Sequence, residues 1–95
     1  MEEAKRISET LVKEKWIACA NLFPGVVSIY TWENNLEESS EVVGFFKTRK
    51  EHFKKLEKRI TELHSYKVPC ILQLAVSECS DGYKNWVLEN TSTHQ

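Results

Sequence analysis

The first apolar residues of the chain recur at the spacing of a helix. Ile7, Leu11 and Val12 follow Ala4 at positions i+3, i+7 and i+8, and charged side chains occupy most positions between them. A stripe with a period of about 3.6 residues is typical of an amphipathic helix that buries one face. The pattern therefore predicts a helix over about residues 2–16.

From residue 17 onward, apolar and polar positions alternate with a period of two, which is typical of strands. The alternation stops in a polar stretch after residue 32 and resumes beyond it. It predicts one strand over about residues 17–32 and a return strand over about residues 41–48. Because the stretch between them is short and polar, the two strands are expected to form one long antiparallel hairpin.

Two dipeptides in this region carry turn-forming residues. Pro24-Gly25 interrupts the first predicted strand. Proline fixes φ and glycine accepts positive φ, so the pair favours a turn or a β-bulge. Asn34-Asn35 lies between the strands, and asparagine tolerates the left-handed region. We therefore predict that these two asparagines form the tip of the hairpin.

A second amphipathic helix is predicted over about residues 49–64. Thr48 and Glu51 have the T-x-x-E spacing of a capping box, in which each side chain binds the other residue's backbone N–H. Pro69 disfavours the helical region for Val68, so the helix must end before it. The apolar stripe of this helix consists of Phe53, Leu56, Ile60 and Leu63.

The last third of the chain predicts one more strand and one more helix. Apolar residues alternate again over about residues 70–79, and a short helix over about residues 81–89 follows a cap at Ser80 or Asp81. The order of elements is then α-β-β-α-β-α. A hairpin followed by a helix and a strand predicts a two-layer α+β fold.

Composition limits the class of protein. The chain has 95 residues and is interpreted as one domain, residues 1–95. Thirteen basic and 14 acidic residues give a net charge of −1, which argues against binding to nucleic acid or to an anionic membrane surface. The sequence has no apolar run long enough to span a membrane, and its charged first residues do not resemble a secretory signal. These features predict a soluble, cytoplasmic protein.

Cysteine usage agrees with a reducing compartment. The three cysteines, Cys19, Cys70 and Cys79, contain no C-x-x-C pair. A disulfide framework, or a zinc site made of cysteine alone, needs more cysteines at closer spacing. We therefore expect reduced and mostly buried thiols.

Five short blocks occur in one order along nearly the whole chain. They are residues 17–25 (IACANLFPG), 28–37 (SIYTWENNLE), 41–48 (EVVGFFKT), 64–70 (HSYKVPC) and 83–87 (YKNWV). Together they resemble the motifs of the CutA family, the divalent-cation-tolerance proteins. The resemblance implies a ferredoxin-like two-layer sandwich, in which an antiparallel sheet carries helices on one face. It also implies that three copies form a homotrimer.

The resemblance also implies a strand before the first helix, which this chain lacks. Such a strand would have roughly 8–10 residues, within the usual range, and would lie inside the sheet. Three explanations are open: the natural start lies upstream of Met1, a neighbouring subunit fills the place, or the strands pair differently. The family's metal-linked cysteine belongs to this strand, so it has no counterpart here.

The predicted hairpin carries more aromatic surface than a chain of this size buries easily. Its aromatic residues include Tyr30, Trp32, Phe45 and Phe46. Pairing of strand edges with neighbouring subunits would cover both these rings and the free backbone groups. The alternative is that the rings cover the helices of their own chain.

The family resemblance implies binding of copper or another divalent metal ion. His64 matches the histidine of the family's H-P-Y motif, Cys70 stands at the position of the glutamate that follows, and Ser65 replaces the proline. An imidazole and a thiolate favour Cu(I) or Zn²⁺ over Mg²⁺ or Ca²⁺, yet two ligands make only a weak or shared site. The alternative is structural: His64 ends the helix beside its carbonyl groups, and Cys70 packs as a small apolar residue.

The residues give no support to catalysis, so the chain is predicted not to be an enzyme. His52 is placed on an exposed helix face and His94 in a loose tail, and no nucleophile–base arrangement is readable. The predicted function is therefore metal tolerance by a homotrimer. Two other functions are open: a stable scaffold that binds metal only incidentally, and signalling by small molecules as in PII proteins. The second would use an intersubunit cleft lined by Tyr30, Trp32, Tyr66 and Trp86.

Overall fold

The computed structural model describes residues 1–92. Within them, two antiparallel strands are combined with helices, which confirms the predicted α+β class. A 3₁₀ turn at Lys50–His52 leads directly into the second α-helix. The other elements are α1 (Glu2–Lys13), β1 (Cys19–Trp32), β2 (Asn35–Lys47), α2 (Phe53–Leu63) and α3 (Asp81–Glu89).

The hairpin is confirmed, and its turn lies one residue earlier than predicted. Trp32 pairs with Asn35, which leaves a loop of two residues, Glu33 and Asn34. Both adopt positive φ, 50° and 66°, as the favoured two-residue hairpin turns require. Asn35 is therefore the first residue of β2 rather than part of the turn, and the return strand begins well before residue 41.

Inside β1, the predicted irregularity at Pro24-Gly25 is a β-bulge. The register of the ladder shifts between Phe23 and Val26, and Gly25 has φ of +71°. Glycine reaches this region without the steric cost that a Cβ atom imposes. The bulge divides the hairpin into a base, which touches the helices, and a projecting part.

The core lies where α1 and α2 pack on the base of the hairpin. Leu11 and Ile17 are completely buried, and Ala20 and Phe46, paired across the ladder, pack against the same cluster. The two helices therefore share one face of the sheet. The buried cluster consists of Ile7, Leu11, Ile17, Leu56 and Ile60.

The two helices run antiparallel, as their polar contacts show. Arg59 of α2 donates to both carboxylate oxygens of Glu14, from Nε at 2.8 Å and from Nη2 at 2.6 Å. These contacts raise the pKa of Arg59 above its ordinary value. At the other end, Nη2 of Arg6 donates to the backbone oxygen of Leu63 at 3.2 Å. The end of α2 is thereby placed beside the start of α1.

Both predicted helix boundaries near the core need correction. Helix α1 ends at Lys13 rather than near residue 16, because Lys15 takes a φ of 64° and Trp16 N–H bonds to the oxygen of Leu11. This is the Schellman arrangement, which satisfies the last carbonyls. Thr48 forms no capping box. Its hydroxyl donates instead to the backbone oxygen of Trp16 at 2.7 Å.

The predicted strand over residues 70–79 is wrong. Within the described part of the chain these residues belong to no strand, and Leu72, Leu74 and Val76 are each more than 70% exposed. A strand exists only where a second strand accepts and donates its backbone hydrogen bonds. The described residues place no such strand beside this segment. Its sequence therefore alternates as a strand does, but the segment is not part of a sheet.

The molecule is elongated and leaves much apolar surface open. Its radius of gyration is 14.8 Å, whereas a compact domain of this length has about 12 Å. On the projecting hairpin, Ile29 is 65% exposed and Trp32 63% exposed, and Tyr30 is also exposed. Phe45, which pairs with Asn21 in the base of the hairpin, is exposed as well. Only Phe46, among the four hairpin aromatics singled out above, packs on the core.

Candidate functional site

His64 lies directly after α2, where the chain leaves the helix. Its backbone N–H still bonds to the oxygen of Ile60 at 2.8 Å, while its own φ and ψ are extended, −83° and 145°. The side chain turns forward along the chain: Nδ1 accepts a hydrogen bond from the backbone N–H of Tyr66 at 3.0 Å. The two rings lie 4.8 Å apart. His64 thus ends the helix, and its side chain bonds to the following turn rather than to the helix carbonyls.

The first turn of α1 completes the surroundings of His64. Oε2 of Glu3 accepts from the backbone N–H of Ser65 at 3.0 Å and lies 3.8 Å from Nη2 of Arg6. Hydrogen bonds from the Ser65 side chain and backbone lower the pKa of Glu3, and the positive charge of Arg6 acts in the same direction. Sequence reasoning missed Glu3, because only the antiparallel packing of α1 and α2 brings it here.

The lowered pKa of Glu3 predicts a specific loss of stability in acid. Its folded-state pKa lies below its unfolded value, so its contribution is present above about pH 4.3, the ordinary value, and is lost as pH falls through the folded pKa. Glu3→Gln should therefore lower the urea midpoint at pH 7 and lower it less near pH 3. Glu2→Gln, in the same helical turn, is the control. A Glu3→Gln effect that is equal at both pH values would contradict the assignment.

Cys70 lies six residues after His64 and is exposed. Its predicted packing as a small apolar residue is therefore wrong, because the segment around it pairs with no strand in residues 1–92. The wider expectation of mostly buried thiols is also wrong: Cys79 is exposed and Cys19 is only half-buried. Within residues 1–92, no group of three or more His, Cys, Asp or Glu side chains is placed to hold a metal ion.

The hydrogen bond of His64 limits what its ring can bind. Because Nδ1 accepts from Tyr66, the neutral ring carries its proton on Nε2. A metal at Nε2 requires that this proton move to Nδ1, and a metal at Nδ1 requires that the Tyr66 hydrogen bond break. With Cys70, the chain supplies at most two donors here, fewer than the three or four of a zinc site. The two residues alone do not fit a complete metal centre.

His52 is buried, contrary to the sequence prediction of an exposed helix face. Only 2% of its surface is accessible, and its Nδ1 lies 3.4 Å from the Thr48 hydroxyl and 3.5 Å from the oxygen of Trp16. The Trp16 ring meets it edge-on at 5.6 Å. The 3₁₀ turn places this histidine against the segment that links α1 to β1. The spacing of apolar residues near His52 does not predict this contact. The other histidine, His94, lies outside the described residues.

In α3, the Tyr83 ring stacks on Trp86 at 5.6 Å between the ring centroids. Burial raises the pKa of Tyr83, and the neighbouring thiols of Cys19 and Cys79 raise it further. Sequence reasoning used Tyr83 only as part of an apolar face.

None of the helices in residues 1–92 has the length and apolar character needed to cross a membrane. This finding agrees with the absence of a long apolar run in the sequence.

Comparison with known sequences matches the family described as CutA1 divalent ion tolerance protein, over residues 1–90. The divalent-cation tolerance protein CutA of Pyrococcus horikoshii is 41% identical over 90 residues, which are 95% of this chain and 87% of that protein. The protein of the same name from Thermus thermophilus is 40% identical, with the same two coverages.

Solved structures agree with the sequence comparison. CutA1 from Pyrococcus horikoshii matches with a TM-score of 0.90 over 95% of this chain and 87% of that one, at 41% identity. The periplasmic divalent cation tolerance protein CutA of Archaeoglobus fulgidus matches with 0.92 over 96% and 88%, at 33% identity. The PII-like protein CutA from Nostoc sp. PCC 7120, in apo form, matches with 0.86 over 95% and 88%, at 34% identity.

These neighbours share the hairpin and helix arrangement described above, and the predicted ferredoxin-like description fits it. The match of the family over residues 1–90 agrees with the order of the five sequence blocks. The chain belongs to the CutA1 family of divalent-ion tolerance proteins.

Proposed function

We propose that this chain forms a homotrimer that takes part in tolerance of divalent metal ions and has no enzymatic activity. The observation that carries the proposal is the family match, which extends over residues 1–90 and includes relatives named for divalent-cation tolerance. The family match supports the class of function, tolerance of divalent metal ions.

The open apolar surface supports assembly. A single soluble chain rarely exposes large contiguous apolar patches, and those it does expose are often interaction sites. Here the projecting hairpin and the segment from Val68 to Val76 each leave apolar side chains open. Copies of the same chain are the occupants that the family resemblance implies. The exposed residues of these two regions are Val27, Ile29, Trp32, Leu36, Val68, Leu72, Leu74 and Val76.

The proposed metal-binding residues are His64 and Cys70. Their imidazole and thiolate groups favour copper or zinc over Mg²⁺ or Ca²⁺. Since two donors are too few for a closed zinc site, binding is weak unless another copy of the chain supplies further donors. Cys70 is exposed and therefore accessible to such a shared site.

Calorimetric titration with Cu²⁺ and Zn²⁺ tests this site. We expect the heat of binding to be lost in His64→Ala and reduced in Cys70→Ser, because each change removes a ligand. His94→Ala is the matched control for binding at any histidine. If His64→Ala retains the heats of the unmodified chain, the site is elsewhere.

The three free thiols support a cytoplasmic location, because disulfides are uncommon in reducing compartments. Fractionation of cells with detection of the chain tests this. Recovery in the periplasm, where the Archaeoglobus fulgidus relative is described, would contradict it.

A second candidate is small-molecule signalling, which the PII-like relative from Nostoc favours. All four aromatic residues assigned to the ligand cleft, Tyr30, Trp32, Tyr66 and Trp86, are exposed here. This function predicts a rise in melting temperature with a nucleotide from a broad panel. A panel without any shift would exclude it.

A further inference from the structure

Helix α3 is attached to the rest of the chain mainly through its last turn and the residues just after it. Residues 72–86 are all exposed, and α3 contains no buried residue. Its two large rings, Tyr83 and Trp86, stack on each other and are each more than 40% exposed. The preceding segment, residues 64–80, contains no helix or strand. Thr91, just beyond α3, is completely buried. Little apolar burial therefore keeps α3 in its place.

One guanidinium group binds this end of α3. Arg49 lies between β2 and the 3₁₀ turn, and its Nε donates to Oγ1 of Thr91 at 3.0 Å while its Nη2 donates to the backbone oxygen of Leu88. The Leu88 carbonyl belongs to the last turn of α3, where free carbonyls and the helix dipole favour a positive charge. Oγ1 of Thr91 in turn donates to the backbone oxygen of Val87 at 2.8 Å. Arg49 thus joins α3 to the base of the hairpin.

The pair of helices α1 and α2 is held differently, although it has a similar polar contact. Nη2 of Arg6 donates to the backbone oxygen of Leu63, in the last turn of α2, at 3.2 Å. These two helices also contribute four of the five residues of the buried apolar cluster. Burial of apolar surface is the main stabilising contribution in such a core. The arginine contact is therefore secondary between α1 and α2, whereas α3 has no comparable core to hold it.

We propose that residues 81–91 form a latch, which opens as a unit when Arg49 releases Leu88 and Thr91, while α1, α2 and the hairpin stay folded. Regions with few buried apolar contacts open at a lower free energy than the whole fold. The closed latch depends on the two hydrogen bonds of the Arg49 guanidinium, and hydrogen bonds from a charged donor are stronger than neutral ones. Opening uncovers Thr91 and frees the guanidinium group at the base of the hairpin. The latch contains neither His64 nor Cys70, so it is independent of the proposed metal site.

Hydrogen–deuterium exchange of the full chain, read by mass spectrometry of its peptides, tests the latch. In the unmodified protein, the amides of α3 should exchange before those of α1 and α2. Arg49→Met removes both hydrogen bonds and should speed exchange in residues 81–91 by about tenfold or more, with no comparable change in α1 or α2. Arg6→Met is the matched control. It removes the contact with Leu63 and should change exchange in α2 by no more than about twofold.

Two substitutions of Thr91 test the latch without changing Arg49. Thr91→Val keeps the shape of the buried side chain but removes the hydroxyl group that accepts from Arg49, so it should also speed exchange in α3. Thr91→Ser keeps that hydroxyl group and should stay closer to the unmodified protein. Faster exchange in the serine variant than in the valine variant would show that packing, not the hydrogen bond, holds α3. The proposal is likewise overturned if α3 exchanges together with α1 and α2, or if Arg49→Met leaves α3 unchanged.

Discussion

Leu11→Ala is expected to lower the free energy of unfolding by about 3 kcal/mol, within the usual range for removing a buried leucine side chain. Leu11 is completely buried at the centre of the cluster between α1, α2 and the hairpin base. Alanine would lose the burial of the removed methyl groups and leave a cavity that rigid neighbours fill only partly. Urea unfolding at fixed protein concentration measures the change, because assembly makes stability depend on concentration.

The adjacent Val12 provides the control for this substitution. It lies on the same helix but is exposed, so Val12→Ala creates no cavity and also improves helix propensity. We expect a change within about 0.5 kcal/mol for it. Equal effects of the two substitutions would show that the core lies elsewhere than between α1, α2 and the hairpin base.

Ile29→Glu is expected to convert the proposed homotrimer to single chains. Ile29 is exposed on the projecting hairpin, which is the surface proposed to be covered by other copies. A carboxylate placed in an apolar interface loses its hydration, and the effective penalty for burying an unpaired charge is several kcal/mol. Sedimentation velocity should show the mass fall from about 33 kDa, three times the chain mass, to 11.1 kDa.

Lys54→Gln is the control for charge, since it also changes the net charge by −1 but lies on α2. It should leave the trimer intact. If Ile29→Glu sediments like the unmodified protein, the projecting hairpin is not an interface.

The local elements were predictable because local pattern determines them. The apolar stripe of α1 and the alternation of the hairpin each need only their own residues to be recognised, and both are present in the structure. The bulge at Gly25 was likewise readable, since glycine and proline constrain the backbone directly. The ends of the helices and strands were less predictable from the sequence. The Thr48 hydroxyl donates to the backbone oxygen of Trp16, 32 residues away, and therefore does not form the capping box that the sequence favours.

The failure at residues 70–79 has a different cause. Alternation shows that a segment is able to form a strand, but pairing with a second strand decides whether it does. That partner is a non-local feature. Leu72 and Leu74 keep the pattern of a strand face and remain exposed because the described residues offer no pairing partner.

The candidate site was predictable only in part. The position of His64 after α2 followed from Pro69 and the end of the apolar stripe, and the structure places it there. The residues around His64 were not predictable from the sequence, because Glu3 reaches the site through helix packing and the Tyr66 hydrogen bond depends on the turn. The burial of His52 was missed for the same reason, because its contact with Trp16 joins segments distant in sequence.

Native mass spectrometry of the purified chain, with copper added, tests the central claim most directly because it measures assembly and bound metal together. A metal-binding homotrimer predicts a mass of about 33 kDa, three times 11.1 kDa, together with further peaks displaced by the mass of copper. A mass of 11.1 kDa at all concentrations, or a trimer that takes up no copper, would contradict it.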